Sequence, residues 1–282
     1  MLNGLSAAKR AVADDFQRFL TSTTAQHKFA DLGFRTPSHQ PTAHITRANG
    51  TPPDVPLPQP LQAPSPAVLD KLLSVWRQLR KPANVLVLMD TSGSMGQNDK
   101  GNWPVKGELT KLALVQQAHG PLLDGFTDRD RVGLWHFSTT HVTDDDLAPM
   151  GSTRQDDGQT HRAHIEADVA KLHPDSSTAL YTTIGDAVKT LRDNYDTDAI
   201  NAVVVLTDGH DDPPRDQQSD IEGLLNTIGN PDKPVRVFTI AYGTDADTKA
   251  LQQIADATHA RAYNASDPNT IANVLTNVTS NF

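Results

Sequence analysis

Asn84-Val85-Leu86-Val87-Leu88-Met89-Asp90-Thr91-Ser92-Gly93-Ser94-Met95 is the stretch whose reading decides the fold. Five apolar residues in succession, without alternation, predict a strand buried on both faces, as in a parallel sheet covered by helices on each side. The run stops at Asp90, and small polar or glycine residues follow before the next helical pattern. In open α/β sheets, ligands bind just beyond the carboxyl ends of such strands. Asp90, Ser92 and Ser94 stand there at alternate positions, and a carboxylate with two hydroxyls is a hard oxygen set suited to Mg²⁺. The same residues also suit a capped turn in which Asp and Ser only satisfy helix amides. This stretch alone leaves both open.

Downstream, strand and helix patterns alternate, which predicts a mainly parallel sheet. Strands are expected at Asn84–Asp90, Arg131–Ser138, Ala202–Asp208, Val235–Tyr242 and Arg261–Asn264. Helices are expected at Val105–His119, Thr160–Lys171, Ala179–Arg192, Asp216–Ile228, Thr248–Thr258 and Pro268–Val278. Asp267-Pro268 has the form of an N-cap followed by proline at the first helical position. Val142-Thr143-Asp144-Asp145-Asp146-Leu147 breaks the rhythm and suits an antiparallel edge strand. Its acidic triplet can be read as a calcium site or, more simply, as a solvated loop. Residues 151–159 form a polar loop. His161 and His164, three apart on a helix, can bind a transition metal, but a pair without a third ligand is usually surface decoration.

Two further oxygen-bearing segments fall where a strand-end site would need them. Asp175-Ser176-Ser177-Thr178-Ala179-Leu180 opens a helix, and Val203-Val204-Val205-Leu206-Thr207-Asp208-Gly209 is a second apolar strand ending in aspartate. Neighbouring strands lie about 4.8 Å apart, so carboxylates at Asp90 and Asp208 can reach one ion directly or through water. No cation is evident beside the two in sequence. They are therefore expected to repel each other until a metal or a proton arrives, and Asp208→Ala is expected to be as stable as metal-free wild type, or slightly more so.

At these residues the chain resembles the von Willebrand factor A (VWA) family over roughly 84–282. Asp90-Thr91-Ser92-Gly93-Ser94 matches the DxSxS motif of its metal-ion-dependent adhesion site. Ser177-Thr178-Ala179-Leu180 is similar to the segment carrying that site's threonine, and Thr207-Asp208-Gly209 to the one carrying its second aspartate. One departure is Ser176-Ser177, where many members have two glycines. The resemblance implies a three-layer, Rossmann-like α/β fold with a central, mostly parallel sheet, one antiparallel edge strand, and helices on both faces. It implies that Ser92 and Ser94 hold Mg²⁺ or Mn²⁺ through their hydroxyls, with Thr178 direct or through water. Asp90 and Asp208 would often act through water, and a carboxylate of a protein partner would complete the ion's shell.

Ahead of this domain, residues 7–34 predict two short helices, the first with Val12, Phe16, Phe19 and Leu20 on one face. Phe16-Gln17-Arg18-Phe19-Leu20-Thr21-Ser22, Ala25-Gln26 and Leu32-Gly33-Phe34-Arg35 are similar to the last helices of bacterial periplasmic solute-binding proteins. Nine of the nineteen prolines fall in 37–66, predicting an extended spacer. A helix over about 66–80 follows, whose stripe of Leu69, Leu72, Leu73, Trp76 and Leu79 needs a partner surface. The expected organisation is a helical remnant at 1–36, a proline-rich linker at 37–66, and the VWA domain with a preceding helix at 67–282.

A net charge of −9 argues against a nucleic-acid binder, and the absence of cysteine excludes disulfides, thiolate metal sites and cysteine nucleophiles. No apolar run of the roughly 18 to 20 residues needed to span a membrane is present, and Met1–Ser6 shows no signal-peptide pattern. The N-terminal likeness nevertheless suggests a bacterial extracytoplasmic or cell-surface protein; if the protein works outside the cell, this chain is a fragment or begins inside a longer precursor. Neither a phosphate loop nor a GxSxG elbow occurs. The expected function is metal-dependent, non-catalytic binding of a protein ligand. One alternative is a Mg²⁺-dependent phosphoryl-transfer hydrolase with Asp90 as nucleophile. Against it, Ser92 stands where a second acid is usual, and no lysine lies at a matching strand end. Another is an intracellular adaptor docking to an ATPase.

Overall fold

Strand β1 (Ala83–Asp90) is buried at every position. The computed structural model describes residues 7–36, 40–54, 64–98, 100–215, 220–243, 245–267 and 270–281. Val85, Val87 and Met89 enter one apolar core, and Leu86 and Leu88 the other. The unbroken apolar run thus reflects two covered faces, as the side-chain period of two requires.

β1 pairs in parallel with β2 (Arg131–Phe137) on one side and β4 (Ile200–Thr207) on the other. β3 (His141–Pro149) adds antiparallel to β2, while β5 (Arg236–Tyr242) and β6 (Ala262–Ala265) extend the sheet in parallel beyond β4. The strand order is β3-β2-β1-β4-β5-β6. The chain winds outward from β1 in one direction and then, from β4, in the other. The carboxyl ends of β1 and β4 therefore flank the topological switch point, where such sheets bind ligands.

Helices α4 (Lys111–Ala118), α5 (Gly120–Asp124), α6 (His161–Val169) and α10 (Ile271–Thr279) supply the first core. Helices α7 (Leu180–Asp193), α8 (Ile221–Ile228) and α9 (Thr248–Ala257) supply the second. The expected three-layer fold is the observed one.

Several boundaries differ from expectation. The helix expected from Val105 begins at Lys111, because the Thr110 side chain accepts the Ala113 N–H and caps it there. The helix expected from Asp216 begins at Ile221 behind an Asp220 cap, and residues 216–219 lie outside the described residues. The last helix begins at Ile271 with Thr270 at its cap, and Pro268 lies outside the described residues.

The acidic triplet is not a solvated loop. It lies within β3, where Asp144 meets the His136 ring and buried Asp145 pairs with Arg154. His161 is not surface decoration either. Its ring is buried, with Nε2 2.6 Å from the Val132 carbonyl oxygen.

The chain divides into two units, Met1–Leu69 and Asp70–Phe282. In the first, α1 (Ala7–Leu20) and α2 (Thr23–Asp31) form the two expected helices, with Ser22 capping α2. Of the proline-rich stretch 37–66, residues 37–39 and 55–63 lie outside the described residues. Helix α3 (Pro66–Leu79) forms as expected. Its apolar stripe is not buried: Leu72, Leu73, Trp76 and Leu79 are all exposed.

Candidate metal centre

Asp90 is the last residue of β1 and is completely buried. Both of its oxygens are engaged. Oδ1 accepts the Ser92 N–H at 2.7 Å, and Oδ2 accepts the hydroxyl of Thr207 on the neighbouring strand end. Burial and the nearby Asp208 carboxylate push Asp90 up to about 6 from an ordinary 3.8, although hydrogen bonds from Ser92 and Thr207 oppose the shift.

A short 3₁₀ turn, Gly93–Gly96, follows and turns the two serines toward β4. Ser92 Oγ and Ser94 Oγ are 3.1 Å apart, and the Ser94 hydroxyl donates to Asp208 Oδ1 at 2.7 Å. Oxygens at adjacent corners of a Mg²⁺ octahedron lie about 2.9 Å apart, given Mg–O bonds of about 2.05 Å. The serine pair, 3.1 Å apart, lies close to that value, so the two hydroxyls fit adjacent positions on a small hard cation, with the Asp208 carboxylate hydrogen-bonded behind Ser94.

Thr178 comes from the loop before α7, which is laced to the first motif by its backbone. Asp175 N–H donates to the Thr91 carbonyl at 2.6 Å, and Gly93 N–H to the Ser176 carbonyl at 3.0 Å. Thr178 itself forms a bridge with Asp212, beyond the end of β4. A Cβ on Gly209 would stand 3.8 Å from Ser94 Oγ and 3.9 Å from Thr178 Oγ1, so these two hydroxyls flank the same glycine. The serines that replace the expected glycines are accommodated because Ser176 points outward, 2.9 Å from the Thr139 hydroxyl. Asp90, Ser92, Ser94, Thr178 and Asp208 are thus brought together from three separate segments.

One residue of this centre was not expected. Lys111, the first residue of α4, is buried with its Nζ 2.7 Å from Asp208 Oδ2. The expectation of two uncompensated carboxylates is therefore corrected, since Asp208 has a cation on its far oxygen. The available signal was weak: a lysine directly after the Thr110 cap, sharing a helix face with Val115 and flanked by Leu112. A lysine in a first helical turn opposes the helix dipole, and that conflict with the local rule marks the position.

The other candidates separate from this centre. His210 lies on the rim, 3.4 Å from an Asp247 oxygen, and the Asp211 side chain accepts the Tyr181 N–H. Among the described residues no group of three or more His, Cys, Asp or Glu side chains is placed to hold a metal, so His161 and His164 form no such site. A groove of about 600 Å³ between α7 and α8 contains none of the five strand-end oxygen residues.

The profile of the von Willebrand factor type A domain matches residues 84–277. Uncharacterized proteins of two Mycobacterium tuberculosis strains are each 24% identical to this chain over 256 residues, 89% of this chain and 35% of their own length. This chain thus spans about a third of the curated relatives it matches, at 35%. Among solved structures, a von Willebrand factor type A protein from Catenulispora acidiphila is 25% identical with a TM-score of 0.53, covering 71% of this chain and 42% of that one. A mutant of the PilB minor pilin from Streptococcus sanguinis, 13% identical with a TM-score of 0.57, covers 72% of this chain and 62% of its own, and shares the fold.

Proposed function

Because this chain belongs to the von Willebrand factor type A family, we propose that its strand ends hold one Mg²⁺ or Mn²⁺ ion that binds an acidic side chain of a partner protein. The observation that carries this is the spacing of Ser92 Oγ, Ser94 Oγ and Asp208 Oδ1 at 3.1 and 2.7 Å, beside Thr178 and the buried Asp90. Ser92 and Ser94 would bind directly, Thr178 directly or through water, and Asp90 and Asp208 largely through water. The bound ion would supply a positive centre with an exchangeable position for a carboxylate.

Each side chain has a separate task. Asp90 fixes the turn by accepting the Ser92 N–H and holds Thr207 across the strand gap. Ser94 and Asp208 orient each other. Ser94 is only half-buried, so the cluster opens to the surface on that side.

The rival hydrolase requires Asp90 to attack a phosphorus atom. Lys111 supplies the lysine that sequence did not locate, but it contacts Asp208 rather than Asp90. With both Asp90 oxygens occupied and the side chain completely buried, no line of attack is open. Binding without catalysis is the better supported reading, and it is equally compatible with an adhesion module and with an intracellular adaptor. The N-terminal likeness to solute-binding proteins favours an extracytoplasmic or surface location.

Isothermal calorimetry tests the reading. Mg²⁺ is expected to bind with one-site stoichiometry, to raise the melting temperature by mass action, and to do neither in Ser92→Ala/Ser94→Ala. Failure of wild type to bind at millimolar Mg²⁺ and Mn²⁺ rejects it, as does undiminished binding by the double variant. Phosphatase turnover that depends on Mg²⁺ and on Asp90 would favour the rival.

A further inference from the structure

No other lysine among the described residues is buried, and Lys111 is 1% exposed. It carries two local penalties: its charge lies at the positive end of α4, and it has been removed from water. The surroundings are shaped to accept it. Gly243 packs against the lysine stem, where a Cβ would lie 3.5 Å from Lys111 Cε, and its φ of +77° is the left-handed bend that glycine adopts without strain. The Lys111 N–H also donates to the Gln97 carbonyl at 2.7 Å, tying the start of α4 to the motif loop.

The Asp208 carboxylate is divided between two environments. Oδ1 faces the hydroxyl cluster through Ser94, while Oδ2 takes the Lys111 ammonium. Nζ also lies 3.9 Å from Oδ2 of the exposed Asp245, on the side of the loop after β5. The ammonium is therefore behind the carboxylate rather than among the hydroxyls. A cation seated at Ser92 and Ser94 does not have to displace it, but must feel it.

We propose that Lys111 is a fixed counter-charge of the metal site, lowering its affinity for the divalent ion and strengthening the loaded ion's hold on an anionic ligand. This rests on the metal-dependent binding reading above. Asp90 and Asp208 bring two negative charges and Lys111 one positive, so a loaded site is left with a net positive charge. Without Lys111 the loaded site would be neutral. The exposed Asp245 is screened by solvent and offsets little of this. The same fixed positive charge repels the incoming cation and attracts the carboxylate that follows it, so it weakens the first step and strengthens the second.

The test compares Mn²⁺ binding by the whole chain in wild type, Lys111→Gln and Lys111→Arg. Gln keeps an N–H donor for Asp208 Oδ2 but no charge, whereas Arg keeps the charge. Lys111→Gln is expected to bind Mn²⁺ on the order of a hundredfold tighter or more, the scale of a unit charge several ångströms from a divalent ion at an effective dielectric of about 20. Lys111→Arg should stay near wild type. Relaxation of acetate methyl protons by protein-bound Mn²⁺, which reports entry of a carboxylate into the ion's shell, should fall in Lys111→Gln and persist in Lys111→Arg. Wild type binding Mn²⁺ with Lys111→Gln no tighter overturns this inference and leaves the metal site standing. Equal tightening by Gln and Arg also overturns it, since packing rather than charge would then be responsible. Binding by neither wild type nor Lys111→Gln overturns the metal reading itself. Should Lys111→Gln fail to fold, Lys111→Met carries the same comparison.

Discussion

Asp90 is held at a buried strand end beside a second carboxylate, and its protonation therefore couples to folding. At low pH it is protonated in both the folded and unfolded chains and contributes nothing. Between its ordinary 3.8 and the folded value of about 6, the unfolded chain releases the proton first, so the folded state loses stability as pH rises. Above about 6 the penalty is complete, on the order of 3 kcal/mol. Asp90→Asn is expected, in EDTA, to gain stability relative to wild type over this window and to hold the gain at neutral pH. Melts of both proteins at pH 4 and pH 7.5 check it, and a constant difference would refute it. Mg²⁺ should close the gap by stabilising only wild type. Asp208 behaves differently, because it is the partner of a buried lysine. Removing one member of a buried ion pair typically costs about 3–5 kcal/mol, so Asp208→Ala should be destabilised in EDTA. Adding Lys111→Met should recover much of the loss, and a double-mutant cycle by urea denaturation measures the coupling. Sequence reasoning alone gives the opposite sign for Asp208→Ala, because nothing in the order of residues places position 111 against 208.

At the scale of elements, β2 and β3 depend on a close approach at Gly133. A Cβ there would fall 2.6 Å from Leu86 Cδ2 and 3.2 Å from the Asp145 carbonyl oxygen, where the β2–β3 register is irregular. Gly133→Ala should therefore cost about 1–3 kcal/mol through overpacking, measurable by denaturant unfolding, with metal affinity at the β1–β4 ends unchanged. A neutral outcome would mean that the end of the Leu86 side chain turns aside and that β3 gives by a few tenths of an ångström. Sequence was legible where one signal dominated. The apolar runs of β1 and β4, each ending before or at an aspartate, gave the central strands and both carboxylates. Capping was less legible. The start of α4 is set by the Thr110 side chain on the Ala113 N–H, not by the apolar pattern from Val105. The acidic triplet misled for a related reason. Composition suggested solvent, but Asp145 is buried because Arg154 reaches it from a loop nine residues on. Side-chain pairs between segments, such as Lys111 with Asp208, leave no periodic trace.

For the whole molecule, the question is which part of the chain folds alone. The division between units falls inside α3, after Leu69. Burial places the structural start of the second unit slightly later. Leu72, Leu73, Trp76 and Leu79 remain exposed, whereas Arg80 forms a buried ion pair with Asp130, whose Oδ1 also accepts the Ala83 N–H at 2.7 Å. Asp130 precedes β2, so this pair ties the entry of β1 to its neighbour. Helix α3 adds only peripheral contacts, among them the Arg129 guanidinium donating to the Gln78 carbonyl at 3.0 Å. A fragment spanning 80–282 is therefore expected to unfold in one cooperative step and to bind Mg²⁺ like the whole chain. Its melting temperature should fall within a few degrees of that of a fragment spanning 64–282, because a loss of about 1 kcal/mol shifts Tm by only about 2–4 °C at this size. Scanning calorimetry and calorimetric Mg²⁺ titration of both fragments decide the point. A sharp transition for 64–282 but a broad one for 80–282 would make α3 part of the folding unit. Loss of cooperativity in both would mean that residues before 64 complete a core that the buried residues of the second unit do not close by themselves.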